Sequence, residues 1–218
     1  MSSNTEQFRQ NGSSVEEIPP TEDLMREHGI LKRILLIYND VVRRLIGQNP
    51  YDPQTIQAVL YHTASISHRF IEEYHQKLEE DYVFPEFLRA NKHVDLVQVL
   101  QTQHQAAEHI TKQILNFSAT FNTCHFQHRY YIAHLLSLYI RMYEPHEARE
   151  DTVLFPALRD VVGPEEFKQM GEKFEEIEHE RFGEEGFQRF VNQIAEIEKV
   201  LGIYELSQFT PQPYELFR

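Results

Sequence analysis

The chain has 218 residues, 41% of them hydrophobic and 25% charged, a composition that fits one compact globular domain and excludes disorder as its main state. Its 21 lysines and arginines stand against 34 aspartates and glutamates, and the formal charge of -13 repels nucleic-acid backbones and anionic membrane surfaces. Cys124 is the one cysteine, which leaves no internal disulfide and no thiolate-rich zinc or iron–sulfur site, suits a reducing cytoplasm, and confines any metal to nitrogen and oxygen ligands.

Residues 1–20 are polar and lack the basic start and apolar centre of a secretory signal, so they read as a loose tail. No apolar run approaches the roughly 20 residues that a bilayer requires, so a membrane is not an expected partner. The first helix is expected after Pro19-Pro20, with Thr21 as its N-cap and an end near Gly47, and its inward stripe runs Leu24, His28, Leu31, Leu35, Tyr38, Val42, Leu45. The second starts at Asp52-Pro53, with Leu60, Ala64, His68, Ile71, His75, Leu78 and Tyr82 inward, and Phe84-Pro85 ends or kinks it. The third covers about Val94 to Ala119, with His104 inside the stripe Val97, Leu100, Ala107, Thr111, Leu115. The fourth runs from about His125 to Arg159 with Ile132, Leu135, Tyr139, Met142, His146, Glu150 and Val153 inward, and meets Phe155-Pro156 near its end. Two shorter amphipathic segments follow Gly163-Pro164, and Gly202 to Arg218 reads as an extended tail. The expected class is all-α, an up-down-up-down four-helix bundle over residues 21–160 with two additional C-terminal helices and a tail over 161–218 packed on its outside.

The informative feature is an internal repeat. His75, Glu79, Glu80, Phe84 and Pro85 recur as His146, Glu150, Asp151, Phe155 and Pro156 at identical offsets, 71 residues apart. A histidine and a glutamate four apart on a helix share a face one turn apart, so each pair is a chelating clip. Each clip follows a helix with a lone inward histidine, His28 before the first and His104 before the second. Pseudo-twofold packing of the halves then gathers four imidazoles and two carboxylates, a set suited to two first-row metal ions with coordination room left for dioxygen, peroxide or nitric oxide. The bare His-x-x-x-Glu pattern also occurs at His68/Glu72 and His104/Glu108, so the specificity lies in the extended match through Phe-Pro.

Through Arg26-Glu27-His28, the clip from His75 to Pro85, Gln103-His104 and the clip from His146 to Pro156, the sequence resembles the hemerythrin-like (HHE cation-binding) domain family over residues 21–160. The resemblance implies a four-helix bundle around two non-heme iron ions, with manganese or zinc as alternatives. It implies His28, His75, Glu79, His104, His146 and Glu150 as metal ligands and dioxygen or a related small molecule as partner. Oxygen-carrying members have a second histidine one turn after the third-helix ligand, where this chain has Glu108. They place the last carboxylate five residues after its histidine, which here is Asp151. These departures move the expectation from carriage toward sensing or oxidative chemistry, or the handling of iron, with a di-iron oxidase or peroxidase as the alternative and a protein-binding scaffold with a vestigial site behind it. No protein partner is legible.

Glu80 and Asp151 lie about 100° further round the helix and are expected beside the ligands or on the surface. His68 is expected in the core. His62, His93, His109, His125, His128, His134 and His179 read as surface or structural, and Tyr74, Tyr82, Tyr139 and Tyr143 as core aromatics. A ferritin-like pairing of Glu72/His75 with Glu176/His179 leaves the second clip idle, and a zinc hydrolase lacks its His-Glu-x-x-His helix.

Overall fold

The computed structural model describes residues 18–120 and 126–212. Among them all regular structure is helical, and six helical runs account for it: α1 (Pro20–Leu45), α2 (53–89), α3 (Val94–Thr120), α4 (126–161), α5 (Pro164–Phe182) and α6 (Gly186–Leu201), followed by a short 3-10 turn at Leu206–Phe209. Cys124, His125 and most of the expected N-terminal tail lie outside the described residues.

The helix starts follow local chemistry. Asp52 caps α2 by accepting from the Thr55 backbone N–H at 2.7 Å, with Pro53 in the first turn, where no N–H is needed. Thr21 does not cap α1: the helix begins two residues earlier than that cap implies, at Pro20, with Pro19 in the cap position and Thr21 buried in the first turn. Gly47 (φ 88°) and Gly202 (φ 72°) end α1 and α6 in the left-handed region. There the next residue donates back across the end, Gln48 to the Arg43 carbonyl and Ile203 to the Glu198 carbonyl, each at 2.9 Å.

The Phe-Pro pairs neither stop nor sharply break α2 and α4. Proline lacks an N–H, and its ring crowds the carbonyl four residues back. The chain absorbs this by widening one turn, so that Phe84 donates to the Glu79 carbonyl and Phe155 to the Glu150 carbonyl, five residues back in both cases. A longer widened stretch, Ser67–His75, precedes the first clip.

Among α1 to α4, the main packing pairs are α1 on α4 and α2 on α3, closed by contacts of α3 with α4 and α1 with α2. Leu24, Ile34, Tyr38, Leu60, Ile71, Leu100, Ile114, Ile132 and Leu136 fill their shared core. α5 and α6 pack on α1 and on each other, and α6 also reaches α2. Their inner residues, Phe174, Phe190 and Ile194, are buried, while Phe187 and Val191 are half-buried. Arg33 of α1 grips Glu198 of α6 through two bonds, Nε to Oε1 at 2.9 Å and Nη2 to Oε2 at 2.5 Å. Glu198→Gln keeps the shape and removes the charge, so it is expected to lower unfolding stability by about 1–3 kcal/mol in chemical denaturation.

Candidate metal centre

All six sequence-predicted ligands are buried. The structure brings them together as two triads, His28 with His75 and Glu79, and His104 with His146 and Glu150, the ligand atoms of each triad lying within 4.8 Å of one another. α1 supplies His28, α2 the first clip, α3 His104 and α4 the second clip. The ring centroids of His28 and His75 are 4.8 Å apart, and those of His104 and His146 are 5.1 Å apart.

The carboxylates join the triads. Glu79 Oε1 lies 3.6 Å from His75 Nε2, and its Oε2 lies 3.4 Å from His104 Nε2 in the other triad. Glu150 Oε2 lies 3.2 Å from His146 Nε2 and 3.4 Å from His28 Nε2. Each carboxylate therefore spans one imidazole from each half of the chain. Both oxygens of both glutamates, together with His28 Nε2 and His104 Nε2, are buried without a protein hydrogen-bond partner. Polar atoms so placed carry a desolvation cost that a shared cation removes.

The other nitrogen of every ring is tied outward. His28 Nδ1 donates to Asp151 Oδ1 at 2.7 Å and His104 Nδ1 to Glu80 Oε1 at 2.9 Å, so the second acid of each clip holds the lone histidine of the other half. His75 Nδ1 donates to Glu27 Oε2 at 2.7 Å and His146 Nδ1 to Gln103 Oε1 at 2.8 Å. These bonds put the proton on Nδ1 and aim the Nε2 lone pair inward, the arrangement that orients imidazoles toward a metal. Glu27 and Gln103 are the residues that sequence reasoning missed as functional. Their signal was that each precedes the lone histidine of its half.

Without a cation the cluster balances itself with protons. Burial pushes Glu79 well above the usual carboxylate range, and the charge of Glu150 adds to it. Burial also acts on Glu150, but His146 and His28 outweigh it and hold that carboxyl well below its ordinary value. Burial works against a charge on His28, yet Asp151 and Glu150 prevail and push the imidazole up to about 9. His75 is driven well below its usual value by burial and by the neighbouring His28, and His104 is lowered mainly by burial. Behind His75, Asp23, Glu27 and Glu178 form a third acidic group with Arg26 2.7 Å from Asp23; burial lifts Asp23 to about 7 and Glu27 to about 8.

Other expectations resolve differently. His68 is not in the core: its side chain is 48% exposed, because the inward stripe of α2 passes through Ser67. Glu108 faces outward beside Lys77. Glu176 and His179 are exposed, which removes the ferritin-like pairing. Of the remaining histidines, His62, His93, His109 and His134 are exposed and His128 is half-buried. Tyr74, Tyr139 and Tyr143 are buried and Tyr82 half-buried.

If these groups hold a metal, Asp151→Asn, which leaves the six candidate ligands intact but weakens the grip on His28 Nδ1, is expected to lower metal affinity about 10–100-fold in a chelator competition.

No family model and no solved structure matches the chain. Over 200 residues it is 54% identical to uncharacterized protein Rv1995 and uncharacterized protein MT2051 of two Mycobacterium tuberculosis strains, and to uncharacterized protein Mb2018 of Mycobacterium bovis. The matches span 90% of this chain and 76% of each relative.

Proposed function

The chain belongs to the family of uncharacterized protein Rv1995 of Mycobacterium tuberculosis, whose name carries no activity, and from the site's own geometry we propose that it is a hemerythrin-like protein with a non-heme di-iron centre that binds or senses dioxygen, peroxide or nitric oxide. In this reading α1 to α4 are an up-down-up-down four-helix bundle, and α5 and α6 are a family addition clasping α1 and α2. The observation that carries the reading is the pseudo-twofold arrangement of four imidazoles, each with Nδ1 bonded outward, around two buried carboxylates that span the two halves.

His28, His75, His104 and His146 would hold the ions through Nε2, and Glu79 and Glu150 would be shared between them. All-nitrogen-and-oxygen ligation of this kind suits iron, with manganese and zinc as competitors. A dinuclear iron centre supplies reversible redox chemistry and sites for small oxygen- or nitrogen-containing ligands. The residues do the rest: the outward bonds fix the rings, and the apolar walls made by Phe84 stacked on His104 and Phe155 stacked on His28 keep bulk water away. Asp151 serves His28 rather than the cavity, and Glu108 is outside it, so the inward donor set is four histidines and two glutamates.

The test is elemental analysis and visible absorption of anaerobically purified protein before and after exposure to air. Two irons per chain and an oxygen-dependent charge-transfer band are expected. Protein that holds no metal and cannot be reconstituted would remove the reading. Metal uptake is also expected to release protons near neutral pH, among them the one His28 holds in the metal-free state, measurable by calorimetry in buffers of different ionisation enthalpy.

A further inference from the structure

The core beside the second clip is not apolar. Ser67, Glu72 and Gln76 of α2, Thr111 of α3, and Tyr139 and Tyr143 of α4 are all buried there. Ser67 Oγ and Tyr139 Oη are 2.6 Å apart, and Gln76 Nε2 donates to Tyr143 Oη at 2.6 Å. The Tyr139 and Tyr143 rings meet at 4.6 Å between centroids, and Tyr143 meets the His146 ring at 5.2 Å. The Thr111 hydroxyl faces both the Glu72 carboxyl and the Tyr139 phenol, but makes no well-directed hydrogen bond to either.

Glu72 Oε1, Thr111 Oγ1, Gln76 Oε1, Tyr38 Oη and Thr63 Oγ1 are all buried without a protein partner. An unsatisfied buried oxygen costs about 1–3 kcal/mol, and proteins generally remove that cost with ordered water bonded to several such groups. At its outer end this polar layer meets a cavity of about 510 Å³ between α2 and α3, lined by His68, Glu72, Lys77, Glu108 and Lys112. Glu72 stands at the junction. Its Oε2 is held by His68 Nδ1 at 3.1 Å, while Oε1 is turned into the protein.

We propose that Glu72, Thr111, Tyr139 and Tyr143, joined by buried water, form a proton path from this lateral cavity to the core beside His146. Its destination rests on the metal-centre reading; its existence does not. A proton from cavity water enters at the Glu72 carboxyl, and the proton given up there passes through water and the three hydroxyls. Each hydroxyl accepts one O–H bond as it surrenders another, no electron moves, and every proton that enters is matched by one that leaves again through Glu72, so the path exchanges protons without adding charge to the core. Burial raises Glu72 above its ordinary value, against the opposing pull of Thr111 and His68. The groups facing it are His68, Glu73 and Lys77 of α2, Glu108, Thr111 and Lys112 of α3, Tyr139 of α4 and Tyr38 of α1.

The test is solvent exchange of the Tyr139 and Tyr143 hydroxyl protons, followed by NMR in the metal-free and zinc-loaded protein. Glu72→Leu is expected to slow it by about tenfold or more and the nearly isosteric Glu72→Gln by less, while the His75 Nδ1 proton and the backbone amides of 139–143 keep their rates. Crystals diffracting to high resolution should show ordered water between Glu72 and Tyr139. Unchanged hydroxyl exchange in Glu72→Leu, or slowing shared equally by the amides, would overturn the path. Failure of iron, manganese and zinc alike to bind, with the exchange pattern as expected, would defeat the metal reading and leave the path standing.

Discussion

For a dinuclear centre held as proposed, Glu150→Ala is expected to strip the chain of both metals, taking it from two ions to fewer than one after gel filtration and weakening affinity by more than the roughly 100-fold that loss of an outer partner alone reaches. The reason is geometric. Glu150 Oε2 faces His28 in one triad and His146 in the other, so one deletion opens both sites. It also removes one of the two carboxylates that raise His28 without metal, but Asp151 still bonds Nδ1, so the imidazole is not left in the core without a partner. The variant should therefore fold, which far-UV circular dichroism checks. Glu79→Ala is expected to behave alike, because Glu79 spans His75 and His104 in the same way. Glu108→Ala is the control: that carboxylate lies on the surface beside Lys77, and its loss should leave metal content untouched. Retention of two tightly bound ions in Glu150→Ala would contradict the shared-carboxylate arrangement.

The six residues of the candidate site were legible because chemistry repeated. His75, Glu79 and Glu80 recur as His146, Glu150 and Asp151 at fixed offsets, and each clip follows a lone histidine on an otherwise apolar stripe. The partners of the outward nitrogens were only half legible. Glu80 and Asp151 follow from their angle on the helix, but that each serves the other half is a product of how α1 meets α4 and α2 meets α3. Glu27 and Gln103 were hidden because neighbours on a helix point about 100° apart, so a residue beside a ligand normally faces elsewhere. Here each reaches the histidine of the helix next to its own.

The widened turns escaped for a related reason. Phe-Pro is a stop or kink signal by default, and only the packed helix shows that the missing proline N–H is absorbed one turn earlier, at the carbonyls of Glu79 and Glu150. The repeat thus encodes a backbone device as well as the candidate ligands. The polar layer beside His146 was masked because inward Ser67, Gln76, Thr111 and Tyr139 sit among apolar residues in stripes whose periodicity says nothing of hydrogen-bond partners.

The metal-free protein should lose stability as pH rises from 6.5 to 9, and the metal-loaded protein should not. Asp23, at about 7, Glu27, at about 8, and His28, at about 9, all have folded-state values above their ordinary 3.8, 4.5 and 6.5. The folded chain therefore keeps protons that the unfolded chain has released, and the stability they confer disappears as pH climbs through those folded values. His75 and His104 are lowered, so they act in the opposite direction, but their contribution is lost only below 6.5, outside this window. Metal binding runs the other way: ions compete with protons for the imidazoles and carboxylates, so their hold tightens with pH. Free metal at about 1,000 times its dissociation constant adds roughly 4 kcal/mol per ion, about 8 kcal/mol for two, which for a chain of this size is about 16–32 °C in Tm. Thermal melts with and without chelator should accordingly diverge by that amount at the alkaline end and converge toward pH 6.5. A metal-free Tm that rises across the window would mean that the cluster does not store its protons on His28 and the buried acids behind His75.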